Sequence, residues 1–168
     1  MEILEAIEKR RSIRKYKTGA EISDADIKTI LSSAMHAPSA CNSRPWEFIV
    51  LKSAEAKERA IKHHPAAKHL KDASVGILVC GIPESQTGPA VGYYPQDAGA
   101  AIQNILLSSL ALGYGTCWCG IYPREDRTKA FKEEFNLCSV PIGMVVIGKA
   151  DEEPPKRGFY DETKVKVI

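Results

Sequence analysis

The chain has 168 residues, 44% of them hydrophobic and 26% charged, a globular composition sufficient for one core spanning a single domain, residues 1–168. No apolar run reaches the roughly 18 residues a bilayer span requires, and the opening MEILEAIEKRRSIRKY sets acids before bases with no apolar stretch, unlike a signal peptide. A cytoplasmic protein with no membrane role is expected. The net charge of +2 argues against a chain built chiefly for nucleic acid.

The first predicted element is a short amphipathic helix over residues 1–9, carrying Ile3, Leu4 and Ile7 at helical spacing. A basic segment follows, in which Lys9, Arg10, Arg11, Arg14, Lys15 and Lys17 occur without an intervening acid. Ser23 reads as an N-cap, with Asp24 and Asp26 in the first turn and Ile27, Ile30, Leu31 and Ala34 at i, i+3, i+4 and i+7. That pattern predicts a core-facing helix over 24–36. Pro38 and Pro45 then bracket a polar loop without regular structure. A strand over 47–51 and a helix over 54–63 come next.

Ser74–Gly81 is short, apolar and β-branched, which predicts a buried strand. After a Gly-, Pro- and Tyr-rich loop, Gln96–Leu112 is apolar around most of its circumference, the pattern of a helix enclosed by other elements. Gly113 and Gly115 suit its end. Thr116–Cys119 reads as a strand, Arg124–Phe135 as a surface helix, Ile142–Gly148 as a central strand, and the alternating Lys164–Ile168 as an edge strand. Irregular alternation of strands and helices without a repeat predicts an α+β fold, with a mixed sheet packed by helices. No GxGxxG follows the first strand, and neither a P-loop nor a G-x-S-x-G occurs.

The five cysteines, Cys41, Cys80, Cys117, Cys119 and Cys138, are irregularly spaced, and the four histidines share no ligand spacing with them. Cys117 and Cys119 can point to one face of a strand, a weak pointer to metal or redox chemistry; the plainer reading is small apolar residues packed in a reducing compartment, and no metal is expected.

Two segments carry candidate chemistry. Arg10, Ser12 and Arg14 alternate, so an extended backbone would project two guanidinium forks and a hydroxyl to one side, a set suited to a phosphomonoester. A solvated basic turn is the plainer alternative. A nucleic-acid role lacks the aromatic series that stacks on bases. The second segment, A-P-S-A-C-N-S-R-P-W-E-F at 37–48, is stiffened by its prolines and offers Ser39, Asn42, Ser43 and backbone amides as hydrogen-bonding groups. These suit the edge of a flat heterocycle, but the segment also reads as a plain helix-to-strand connector. Trp46 is expected in the core.

Taken together, R-R-S-I-R-x-Y and A-P-S-A-x-N-x-x-P-W-x-F resemble the N-terminal signature of nitroreductase-family flavoproteins. The likeness continues through D-A-G-A-A-I-Q-N-I-L-L-S-S-L-A-L-G-Y-G-T-C-W at 97–118, P-I-G-M-V-V-I-G-K at 141–149 and the later P-P-K-R, and so covers nearly the whole chain. The resemblance implies an intertwined homodimer with shared sites, FMN as cofactor, and NADH or NADPH as donor. Hydride would pass through flavin N5 to a nitroaromatic, a quinone or a similar small acceptor, with no side chain needed as acid or nucleophile. It also leaves room for reductive dehalogenation, oxygen chemistry, or a flavin-binding module without turnover.

Carried onto this sequence, the resemblance assigns Arg10, Ser12 and Arg14 to the FMN phosphate and ribityl chain, with Arg11 in the variable slot between them. It assigns Pro38, Ser39, Ala40 and Asn42 to a loop reaching the flavin from the partner subunit. Gly120 and Ile121 fall where backbone groups approach the ring near N5, and Lys156 and Arg157 match a basic pair closing over the phosphate. Arg44 departs from the pattern, which has Gln there, and bears on specificity.

Overall fold

The computed structural model describes residues 2–168. Its strands are β1 (Trp46–Leu51), β2 (Val75–Gly81), β3 (Gly115–Gly120) and β4 (Val140–Gly148), in the order β1-β2-β4-β3. Every pairing among them is antiparallel. The mixed character expected of the sheet comes down to one parallel bridge, Ser12 to Thr116, at the outer edge of β3. β2 and β4, the most uniformly apolar strands, occupy the middle and are buried almost throughout, as strands covered on both faces must be.

Helices α2 (Asp24–Met35) and α4 (Tyr94–Ala111) cover one face, against Val75, Ile77, Val79, Val145 and Ile147. Alternation sends Leu78, Cys80, Cys117, Cys119, Met144 and Val146 to the other face. There α3 (Ala54–His63), α5 (Glu125–Phe135) and the 3₁₀ segment Pro65–Lys71 close the second core layer.

Helices α2 and α3 begin where the capping chemistry predicts. The Ser23 hydroxyl accepts from the Asp26 amide at 3.0 Å, and Ser53 does the same for Ala56 at 3.1 Å. Helix α4 starts two residues before the predicted Gln96 because Pro95 fits a first turn, where a missing N–H costs nothing. It is enclosed on one side only: Ala98, Ala101, Ile102, Ile105 and Leu106 are buried, whereas Ala100, Gln103 and Leu107 keep partial exposure.

Two further expectations are corrected. Residues Lys164–Ile168 form no strand and pair with no strand of the sheet; Glu162–Lys164 makes a 3₁₀ turn and Val167 and Ile168 lie in the open. The loop after α2 contains a 3₁₀ turn, Ala40–Asn42. The apolar face of α1 (Ile3–Lys9) is largely uncovered, with only Ala6 buried. Trp46 packs against the α2/α4 layer as expected, partly buried. No helix among the described residues is long and apolar enough to cross a membrane.

Candidate functional site

The basic segment leaves α1 at Arg10 and runs beside β3. The Ile13 amide donates to the Thr116 carbonyl at 2.8 Å, and Ile13 turns inward while Arg14 turns out. Gly115 allows this approach, since a Cβ there would come within 2.9 Å of Ile13 Cγ1. The alternation read from the sequence therefore holds across Ser12, Ile13 and Arg14.

The segment is stitched to residues far along the chain. Arg11 donates through Nε to the Pro155 carbonyl at 3.1 Å and through Nη1 to the carbonyls of Glu8 and Arg10. The Glu152 carboxylate accepts from the amides of Arg14 and Lys15. No hydrogen bond or ion pair engages the guanidinium of Arg10 or Arg14 among the described residues. Arg10 and Arg11 line a cavity of about 510 Å³ together with Tyr114, Thr116 and Lys156. Arg157 sits next to it, lining a neighbouring depression with Arg11 and Lys156. Four of the predicted residues thus gather from opposite ends of the chain; Ser12 and Arg14 adjoin on the same segment.

The loop at 38–44 lies elsewhere. Pro38, Ser39 and Ala40 line a shallow depression with Tyr93, Gln96 and Asp97, and it shares no lining residue with the basic cavity. Cys41, Asn42 and Arg44 all take positive φ, near 50°, an unusual run for residues other than glycine. Its geometry is held by a buried network that sequence reading missed. Asp97 accepts from the Ala40 amide at 3.0 Å and from Gln86 Nε2 at 3.1 Å, and Gln86 Oε1 accepts from the Tyr94 amide at 3.0 Å. The available signal was an acid in the first turn of an otherwise apolar helix, since a buried carboxylate needs partners. Arg44 is exposed and donates through Nε to Asn42 Oδ1 at 3.3 Å. It does not pair with Glu47, which accepts instead from Ser139 Oγ at 2.6 Å.

Gly120 ends β3 and Ile121 follows it. The Gly120 carbonyl accepts from Arg127 Nη1 at 2.8 Å and from His64 Nε2 at 3.1 Å, two donors that sequence reading also missed. Burial, with the Arg127 charge second, holds the His64 imidazole below its ordinary 6.5. A depressed folded-state value makes this residue's contribution to stability complete above about pH 6.5 and progressively lost as pH falls through the lower folded value. Urea midpoints measured from neutral pH down to about pH 5 should therefore fall, and His64→Gln should flatten that profile. An unchanged slope in the variant would remove His64 as the cause.

Comparison with known proteins now decides the family. The pattern described as the Nitroreductase family matches residues 7–78 and 64–149. A protein of Methanothermobacter thermautotrophicus with the provisional name NADH dehydrogenase/NAD(P)H nitroreductase is 39% identical over 98% of this chain and 86% of its own. The chain belongs to the nitroreductase family. An Archaeoglobus fulgidus protein of the same provisional name is 41% identical, over 95% of this chain and 90% of its own. Among solved structures, an FMN-dependent nitroreductase from Clostridium difficile R20291 superposes with a TM-score of 0.87 at 29% identity, covering 98% of each chain. The α+β architecture is therefore that of a nitroreductase-family protein.

Proposed function

We propose that this chain binds FMN between two copies of itself and uses NADH or NADPH to reduce nitroaromatic, quinone or similar small acceptors. The observation that carries the reading is the convergence of Arg10, Arg11 and Lys156 on one cavity, within a family that includes an FMN-dependent nitroreductase. The residues present fit the cofactor: the cavity is within the usual size range of ligand sites, and the free guanidinium groups of Arg10 and Arg14 are the fork-shaped donors a phosphate needs.

Bound FMN would supply the hydride chemistry, taking reducing equivalents from the nicotinamide and passing them to the acceptor. The protein's part is to hold and orient. Arg10, Arg14, Lys156 and Arg157 neutralise the phosphate, while Ser12 adds a neutral donor and Arg11 ties the C-terminal segment down by its bond to Pro155. Arg127 and His64 fix the Gly120 carbonyl, and Ile121 follows it, at the place proposed for the ring. The loop Pro38, Ser39, Ala40 and Asn42 would complete the partner's site; in one chain it stands apart from the basic cavity. A homodimer also gives cover to Leu4 on α1, 71% exposed, and to Phe159, 86% exposed. Such a protein works in the cytoplasm without a nucleic-acid or membrane partner.

Protein purified under native conditions should carry an oxidised-flavin spectrum that NADH or NADPH bleaches anaerobically and an acceptor restores. Sedimentation should show a dimer at low micromolar concentration. Colourless protein that takes up no added FMN would overturn the cofactor, and a stable active monomer would overturn the shared site. Flavin that no nicotinamide bleaches would leave a binding module.

Arg44 tests specificity. A guanidinium is permanently charged and donates only, whereas Gln both donates and accepts. Arg44→Gln should lower kcat/KM for an anionic nitroaromatic relative to a neutral one by up to roughly fivefold, the size of an exposed ion pair, and should lower the flavin midpoint potential. Unchanged discrimination with an unchanged potential puts Arg44 outside the site.

A further inference from the structure

On the sheet face away from α2 and α4, the fold assembles a group of soft donors that the flavin reading does not use. Cys117 and Cys119 are two apart on β3 and share one side of it; the 3₁₀ segment Pro65–Lys71 brings His69 against them. All three are buried, with exposures of 2%, 7% and 8%. Their donor atoms lie within 4.8 Å of one another, and His69 Nε2 stands 3.8 Å from Cys119 Sγ.

We propose that His69, Cys117 and Cys119 form a binding site for a thiophilic d¹⁰ cation, copper(I) or zinc(II). The spacing fits such an ion. With bonds of about 2.3 Å to sulfur and 2.0 Å to nitrogen, donors arranged near 120° around one centre lie roughly 3.7 Å apart for sulfur–nitrogen and 4.0 Å for sulfur–sulfur. Only small closing movements of side chains are then needed. Thiolate and imidazole donors select against magnesium and calcium, which require oxygen. Binding releases one proton from each thiol to solvent, leaving two thiolates and a neutral imidazole around the ion. Three donors complete the trigonal set copper(I) accepts; zinc(II) would take one further ligand, such as water.

The experiment titrates reduced full-length protein with copper(I) and, separately, zinc(II), each against a competing chelator. Bound metal per chain and sulfur ligation by X-ray absorption are the readouts. One ion per chain with two sulfur ligands is expected, along with a metal-dependent rise in melting temperature. Cys117→Ser, Cys119→Ser and His69→Gln should each weaken uptake at least about tenfold, while Cys41→Ser and Cys138→Ser, at exposed positions, should not. Uptake of only one ion identifies which of the two the site takes. If a cysteine variant misfolds by circular dichroism, His69→Gln, which removes no thiol, decides. Failure of the folded wild type to bind either ion, or uptake indifferent to the three substitutions, overturns the site. Neither result depends on flavin content.

Discussion

Replacing both Arg10 and Arg14 with alanine is expected to weaken FMN by about a hundred- to ten-thousandfold while leaving riboflavin almost unaffected. Each proposed guanidinium–phosphate contact would be a charge-assisted hydrogen bond contributing roughly 1.5–3 kcal/mol, and two such losses convert to that range of dissociation constants. The backbone amides of Arg14 and Lys15 cannot compensate, because Glu152 already occupies them. Equilibrium titration of apoprotein with both flavins checks this. The comparison is internal: riboflavin has the ring and ribityl chain without the phosphate, so an equal loss for both flavins would show that these arginines support the fold instead. Raised salt should shrink the difference between wild type and variant, since partly exposed charges are screened.

The second large effect is on stability. Phe131 is fully buried on α5, stacked on Phe135 with ring centroids 5.9 Å apart and edge-on to His63 at 6.2 Å. Phe131→Ala should cost roughly 3–5 kcal/mol, the transfer loss plus the cavity left behind. In a chain of this length that lowers the melting temperature by roughly 6–20 °C. Calorimetry of wild type and variant at equal flavin saturation measures it. The site should feel the loss as well, because α5 also carries Arg127, which fixes the Gly120 carbonyl. A drop under about 1 kcal/mol would mean the second core layer closes the gap by itself, against the packing described.

What could be read from the sequence was what has a period or a local chemical signature. Ser23 marks a helix start through a hydrogen bond three residues on, and both α2 and α3 were legible almost to the residue, although the matching cap by Ser53 was not read. The apolar, β-branched runs of β2 and β4 could only be interior strands. The Ser12–Arg14 alternation was legible because Ile13 between them is drawn inward. Partners joined across long stretches of chain leave no such mark. Nothing near His64 announces Gly120, nothing near Asp97 announces Ala40, and His69 reaches Cys119 only through the fold. The positive φ angles at Cys41 and Arg44 were likewise invisible, because neither residue type advertises a left-handed backbone. The alternation of Lys164–Ile168 was read correctly as a pattern, but a pattern supplies no neighbouring edge.

The bond from Arg11 to Pro155 joins residues 144 positions apart, and the cavity they flank has Arg10 on one wall and Lys156 on another. During vectorial synthesis the first wall leaves the ribosome long before the second is made. A nascent chain that has reached only β4 can lay down most of its sheet, yet it has neither Glu152 to occupy the amides of Arg14 and Lys15 nor Lys156 to face Arg10. If Arg10 and Lys156 hold the phosphate as proposed, its capture would wait for both walls, and cofactor loading would follow synthesis of the segment that carries Lys156.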